Sequence, residues 1–218
     1  MLEVLRASSG AVDSNALLWR FMDFTKYVSM LHRGALFFTR ADLLPDQFEG
    51  LRAPRRQARR EEQQRLREQV CLSSWHRNEH ESAAMWRIYL SSGEGVALRS
   101  SVVRLEAGFR ATAETVQLGV VRYIDYVRES VPERHELDAF FCKRKSFDYE
   151  REVRLAWRAD LALDEPGRYL PADLQRLIEQ VVISPAGEPW FEELVRSVTL
   201  KYGFSLPVVA SSMNDPPF

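Results

Sequence analysis

The stretch Asp148-Tyr149-Glu150-Arg151-Glu152-Val153-Arg154-Leu155-Ala156-Trp157 constrains this chain more than any other. It alternates strictly, so it reads as a strand with Tyr149, Arg151, Val153, Leu155 and Trp157 on one side. Glu150, Glu152, Arg154, Ala156 and Arg158 fall on the other side. Two carboxylates and a guanidinium thus stand about 7 Å apart along one face. Like charges that close repel unless solvent screens them or the fold holds them for a purpose. Two readings stay open: a solvated face damped by Arg154, or a Glu-x-Glu site at the lip of a cleft.

The chain has 218 residues, enough for one domain with a sizeable core. A formal net charge of −1 gives no global pull toward nucleic acid or membrane. Cys71 and Cys142 lack metal spacing and are expected as free thiols in a reducing compartment. No apolar run is long enough to span a membrane, and the start has no secretory pattern, so a cytoplasmic location is expected.

Residues 1–16 read as a loose lead-in, with 17–218 as a single domain that carries a polar helical insertion at 51–69. Leu17–Phe21 is expected as a strand. Asp23 then caps a helix over 24–33 with Phe24, Val28 and Leu31 inward, and Gly34 closes it. Ala35–Thr39 is the next strand. Residues 52–69 hold seven arginines and three glutamates and only one strongly apolar residue, Leu66. They read as a solvated helix or partly disordered lid, or else as a basic surface for a nucleic acid or acidic partner. Later expectations are a strand at 70–75, a helix at 79–89, a strand at 96–98 and a helix capped by Ser101. Residues 116–126 read as β, with Gly119 as a bulge. Residues 135–145 look helical, Pro166-Gly167 turns, and Asp173 starts a short helix. Residues 181–183 form a strand, 188–202 an amphipathic helix, and 206–209 an edge strand. Short helices mixed with strands in this way give an α+β fold.

Several patterns bear on chemistry. His76-Arg77-Asn78-Glu79-His80 matches the H-x-x-E-H zinc motif, which needs a helix, with Glu150 or Glu152 as the third ligand. Because His76 follows a strand-like run, no metal site is assigned, and a zinc-dependent hydrolase stands only as an alternative. No local signature makes either cysteine a nucleophile. Ser91-Ser92-Gly93-Glu94-Gly95 precedes a strand rather than a helix, so it reads as a turn and not as a phosphate cradle.

A last pattern joins three places. Arg20 ends the first strand, Ser73 and Ser74 lie on a middle one, and Glu150 and Glu152 lie on a late one. In this order they resemble the Arg-Ser-Glu class of ADP-ribosyltransferases. The middle run departs from that class, being Leu72-Ser73-Ser74-Trp75 rather than Ser-Thr-Ser. The resemblance implies a split, mixed sheet with flanking short helices and NAD as substrate. It also implies a macromolecular acceptor, protein or nucleic acid, and no membrane. Arg20 would grip the pyrophosphate through a charge-assisted fork. Ser73 and Ser74 would orient the ribose, with Tyr89 as a further NAD-binding residue. Glu152 would hold the ribose 2′-OH and stabilise oxocarbenium-like charge, and Glu150 would serve the acceptor.

A second resemblance runs from about residue 17 to 210. It rests on Leu18-Trp19-Arg20-Phe21, Gly34–Arg40, Asp46-Gln47-Phe48-Glu49, Ala84–Tyr89, Gly93–Leu98 and Lys145–Arg154. These look like a bacterial family known only as a domain of unknown function, with Gln47 in place of its usual proline. The opening strand-helix-strand also looks like the start of DNA-modifying ADP-ribosyltransferase toxins. The expected activity is therefore ADP-ribosyl transfer in a toxin or phage-defence setting. The alternative from another class is a non-catalytic partner-binding module, in which Glu150 and Glu152 form an ion network with Arg20 and Arg154.

Overall fold

Strand begins only at Glu152. The computed structural model describes residues 2–4, 12–52, 57–90, 92–162 and 164–217, and it places Lys145–Glu150 in a 3-10 turn ahead of that strand. Arg151 between them is left-handed, with φ 43°. The alternation is a true strand signal in its second half. In its first half the charged residues interrupt the apolar run, and the chain turns instead of pairing.

In chain order the strands are β1 (Leu2–Val4), β2 (Leu17–Asp23), β3 (Ala35–Arg40), β4 (Val70–Arg77), β5 (Gly95–Ser101), β6 (Val116–Val120), β7 (Arg122–Ile124), β8 (Cys142–Arg144), β9 (Glu152–Arg158), β10 (Gly167–Pro171), β11 (Gln180–Ile183) and β12 (Val208–Val209). The helices are α1 (Phe24–Arg33), α2 (Gln57–Gln69), α3 (Ala83–Tyr89), α4 (Val102–Gly108), α5 (Leu174–Leu177) and α6 (Pro189–Lys201). Pairing is both parallel and antiparallel, and the class is α+β. No described helix is long and apolar enough to cross a membrane.

The chain divides into two compact units. The first comprises Met1–Val12, Phe37–Trp75 and Ala113–Leu170. Its strands run in the order β1-β6-β9-β4-β3-β10, with β7 and β8 as a separate parallel pair. The lead-in therefore contributes a strand: β1 pairs parallel to β6, with Leu2 against Val116. Residues 8–10 of that lead-in lie outside the described residues. Gly119 makes no bulge, because β6 and β9 stay in register from Val116–Trp157 to Val120–Val153. Glycine is needed there for another reason: a Cβ would stand 2.9 Å from the Phe141 ring. Residues 135–145 are not one helix. Glu136–Phe141 is a 3-10 turn capped by His135, and β8 follows it. The turn buries Leu137, Phe140 and Phe141 against Ala41, Val70, Leu72 and Ala156. Leu66, the one strong apolar residue of α2, packs on this cluster, and that contact explains how so polar a helix is held. Gly167–Pro171 continues past the expected turn as β10, alongside β3.

The second unit comprises Asp13–Leu36, His76–Thr112 and Pro171–Phe218. Here β2 pairs with β5 along its length and with His76 and Arg77, and the order continues through β11 to the edge strand β12. Asp23 takes the N-cap position of α1, but its carboxylate pairs with Lys26 at 3.3 Å instead of bonding a helix N–H. Gly34 ends the helix in the left-handed conformation, at φ 56°. Tyr27, Met30 and Leu31 are the buried residues of α1, with Phe24 and Val28 half-buried beside them and Phe24 edge-on to Phe191 at 5.3 Å. The Tyr27 hydroxyl shares a buried hydrogen bond with the Thr199 hydroxyl at 2.7 Å. The helix expected at 79–89 starts only at Ala83, where the Ser82 hydroxyl accepts from Met85 N–H.

Candidate functional site: a buried carboxylate cluster

Glu152 opens β9, and its side chain is 3% exposed. One of its oxygens accepts from the Lys143 ammonium at 2.8 Å. The other accepts from Arg154 Nε and Nη2 at 3.0 and 2.6 Å. Glu152 and Arg154 lie two residues apart on one face of β9, as the alternation requires. The remaining Arg154 donor, Nη1, bonds the Phe140 carbonyl at 2.8 Å and lies 2.6 Å from Glu49 Oε2. The second contact is a buried ion pair.

Glu150 reaches the same lysine from the 3-10 turn, at 2.5 Å from Lys143 Nζ. Lys143 also lies 3.5 Å from Glu49 Oε1. Its ammonium thus faces three carboxylates, beneath the Phe147 ring at 4.7 Å. The left-handed Arg151 makes this possible, since it swings Glu150 and Glu152 onto one ammonium. The Glu152 N–H donates to the Tyr123 hydroxyl at 2.8 Å, which pins the start of the strand. The charged face is therefore buried and internally paired, not solvated.

The electrostatics separate the two glutamates. Burial, then the hydrogen bond to Glu152 and the charge of Glu152, push the Glu150 carboxyl up to about 8, against the pull of Lys143. Burial also works against a charge on Glu152. Arg154, the Glu150 hydrogen bond and Lys143 outweigh it and hold Glu152 well below the usual carboxylate range. Burial opposes the Lys143 charge too, yet Glu152 and Glu49 raise its pKa. Two acids on one cation, one kept protonated near neutrality and one kept ionised, form a pair suited to acid–base division of labour.

The expected site residues are distributed as follows. Ser73 is buried and Ser74 half-buried on β4, the neighbour of β9 in the first unit's sheet. Arg20 lies on β2 opposite Leu98, and Tyr89 ends α3; both belong to the second unit. The ion partners of Glu49 and Glu152 include Lys143 and Arg154. His76 sits on β4 and His80 in a bend, so the helix that H-x-x-E-H needs is absent. Both cysteines are buried, and burial raises both thiols. Sequence reasoning missed Lys143 and placed it in a helix. Its visible signal was the basic run Lys143-Arg144-Lys145 a few residues before the acidic pair. Glu49 stood in the Asp46-Gln47-Phe48-Glu49 pattern without Lys143 or Arg154 as its partner.

No family model matches the chain, and no curated protein matches it in sequence. Among solved structures the chain is similar to Thermus sp. 2.9 DarT in complex with NAD+. The identity is 12%, the TM-score 0.47, and the match covers 92% of this chain and 97% of that chain. It is also similar to Thermus sp. 2.9 DarT in complex with carba-NAD+, at 11% identity and a TM-score of 0.46 over 92% and 97% of the two chains. With ADP-ribosylated ssDNA bound, the same protein matches at 12% identity and a TM-score of 0.47, over 92% and 96%.

Proposed function

We propose that the chain transfers ADP-ribose from NAD to a macromolecular acceptor, protein or nucleic acid, with NAD as substrate rather than resident cofactor. The observation that carries this reading is the divided pair Glu150–Glu152 on Lys143. An ionised Glu152 is suited to stabilise positive charge at the ribose C1′ as the bond to nicotinamide breaks. The acceptor oxygen or nitrogen then bonds C1′, and its proton passes to the Glu150 carboxylate. Because Glu150 titrates near 8, that step gains from alkaline pH. The NAD-binding roles of Arg20, Ser73, Ser74 and Tyr89 belong to the same proposal, as does a toxin or phage-defence setting.

Calorimetry with NAD tests it. Wild type should bind, and Arg20→Ala should weaken binding by roughly 10- to 100-fold for a lost charge-assisted contact. No binding at millimolar NAD would remove the enzyme reading. A second reading has its own support: Glu152 is 3% exposed and both its oxygens are occupied. On that reading the cluster is a scaffold in a non-catalytic partner-binding module.

A further inference from the structure

The hydroxyl of Tyr123 is used differently from those of its neighbours. The buried Tyr27 hydroxyl shares a bond with Thr199, and the Tyr126 hydroxyl donates to the Phe48 carbonyl at 3.4 Å. The Tyr123 hydroxyl accepts instead, from the Glu152 N–H at 2.8 Å. A phenol that accepts one bond still has a proton to donate. Among the described residues no acceptor takes that proton. A tyrosine hydroxyl away from open solvent ordinarily finds a partner, and Tyr123 is half-buried. The hydroxyl is also fixed in place. β7 runs parallel to β8 with Tyr123 opposite Lys143. The Glu152 carbonyl accepts from the Val121 N–H at 2.9 Å, so Val121 and Tyr123 together tie the Glu152 backbone at both its carbonyl and its N–H. Burial first, then the charge of Glu152, raise the pKa of the phenol. Glu150 adds to the rise, while the bond from the Glu152 N–H and the charge of Arg154 oppose it. The phenol therefore keeps its proton across the neutral range. The chain thus presents a fixed, neutral donor at the residue whose carboxylate is held ionised.

We propose that Tyr123 contacts substrate, its hydroxyl donating to the 2′-oxygen of the nicotinamide ribose of NAD. Three constraints name that oxygen. A neutral donor suits a neutral acceptor, whereas a phosphate gains most from a cation. The donor is bonded to the backbone of Glu152, so what it touches lies beside the carbon that Glu152 acts on. In the transfer reading that carbon is C1′, and the oxygen on the adjoining carbon is the ribose 2′-hydroxyl. A sugar hydroxyl can also accept from the phenol and keep its own proton for another partner. The contact makes and breaks no covalent bond. It holds the ribose while the bond from C1′ to nicotinamide breaks. It leaves the charge on Glu152 untouched, because the phenol bonds the Glu152 backbone and not its carboxylate. The inference deepens the transfer reading by adding a residue that touches the sugar, and it rests on that reading for the identity of the ligand.

Calorimetry on the full chain tests it with three ligands: NAD, NAD lacking the 2′-hydroxyl of its nicotinamide ribose, and ADP, which lacks that ribose altogether. Wild type should bind the deoxy compound roughly 2- to 10-fold more weakly than NAD, the range for one hydrogen bond between neutral groups. Tyr123→Phe removes only the hydroxyl. It should weaken NAD by the same factor and bind NAD and the deoxy compound alike. Its affinity for ADP should equal that of wild type, a readout that a damaged fold would move. Tyr126→Phe loses a hydroxyl that already has an acceptor, and it should leave all three affinities unchanged. Wild-type protein that binds NAD and the deoxy compound equally overturns the inference without any variant. So does a Tyr123→Phe protein that discriminates as wild type does, or one that loses ADP affinity along with NAD. In each of these cases the transfer reading stands. Wild type that binds no NAD overturns both together.

Discussion

Lys143 and Glu152, nine residues apart in the chain, meet at 2.8 Å in a buried site where the same ammonium also holds Glu150. One lysine therefore fixes the relation between the two carboxylates, and the charge balance of the cluster depends on it. Glu150 shares that ammonium, but burial and the neighbouring Glu152 outweigh its pull and raise the Glu150 carboxyl.

Stability should therefore fall as pH rises across the neutral range. The pKa of Glu150 is raised from 4.5 to about 8 on folding. Between those values the folded state keeps a proton that the unfolded state loses. The contribution is complete below about 4.5 and is lost as pH rises through about 8. The slope is at most about 1.4 kcal/mol per pH unit. Urea unfolding at pH 5 and pH 8 should show the decline in wild type and a flatter profile in Glu150→Gln. Identical profiles would mean that Glu150 is not held neutral.

Arg154→Ala should cost about 3–5 kcal/mol, because it leaves Glu49 and Glu152 buried without their guanidinium. Arg154→Lys should recover little, since an ammonium cannot bond Glu152 and the Phe140 carbonyl in the same fork. Chemical denaturation checks both. A loss below about 1 kcal/mol would show that the network holds little of the fold together.

Arg151 occupies the left-handed region between the two glutamates. Arg151→Gly should leave stability within about 1 kcal/mol, relieved strain offsetting the added freedom of the unfolded chain. Arg151→Val should lower it by about 1–2 kcal/mol, because a β-branched residue resists this conformation. Thermal melts of the two variants decide the point, and equal effects would contradict it.

Gly119→Ala should destabilise by about 1–3 kcal/mol, since the new methyl meets the Phe141 ring at 2.9 Å inside a packed core. A neutral outcome would mean that Phe141 has room to move.

Most of the strands and helices were legible, because apolar period and caps write them locally. Gly34 and Asp173 stand at helix ends as read, Asp173 accepting from the Arg176 N–H, while Asp23 holds the N-cap position without a cap bond. The errors fell where tertiary contacts decide. Cys142–Arg144 reads as helix by composition, yet it pairs with Arg122–Ile124 as a strand. Leu2–Val4 is too short to announce itself and is strand only because β6 offers an edge. Of the candidate site, the Glu-x-Glu-x-Arg pattern was visible, but its burial was not. Alternating charges look the same in sequence whether water or Lys143 and Glu49 face them, and those partners come from distant segments.

The central claim is that Glu152 acts on NAD, and nicotinamide release from NAD by wild type, Glu152→Gln and Glu150→Gln tests it most directly. Wild type should release nicotinamide. Glu152→Gln should fall by roughly 10²- to 10³-fold with NAD affinity within a few-fold, as for a lost charge-stabilising group. Glu150→Gln should spare hydrolysis more than transfer to a macromolecular acceptor. Wild type that releases no nicotinamide, or a Glu152→Gln variant as active as wild type, would contradict the account and leave the cluster as a structural ion network.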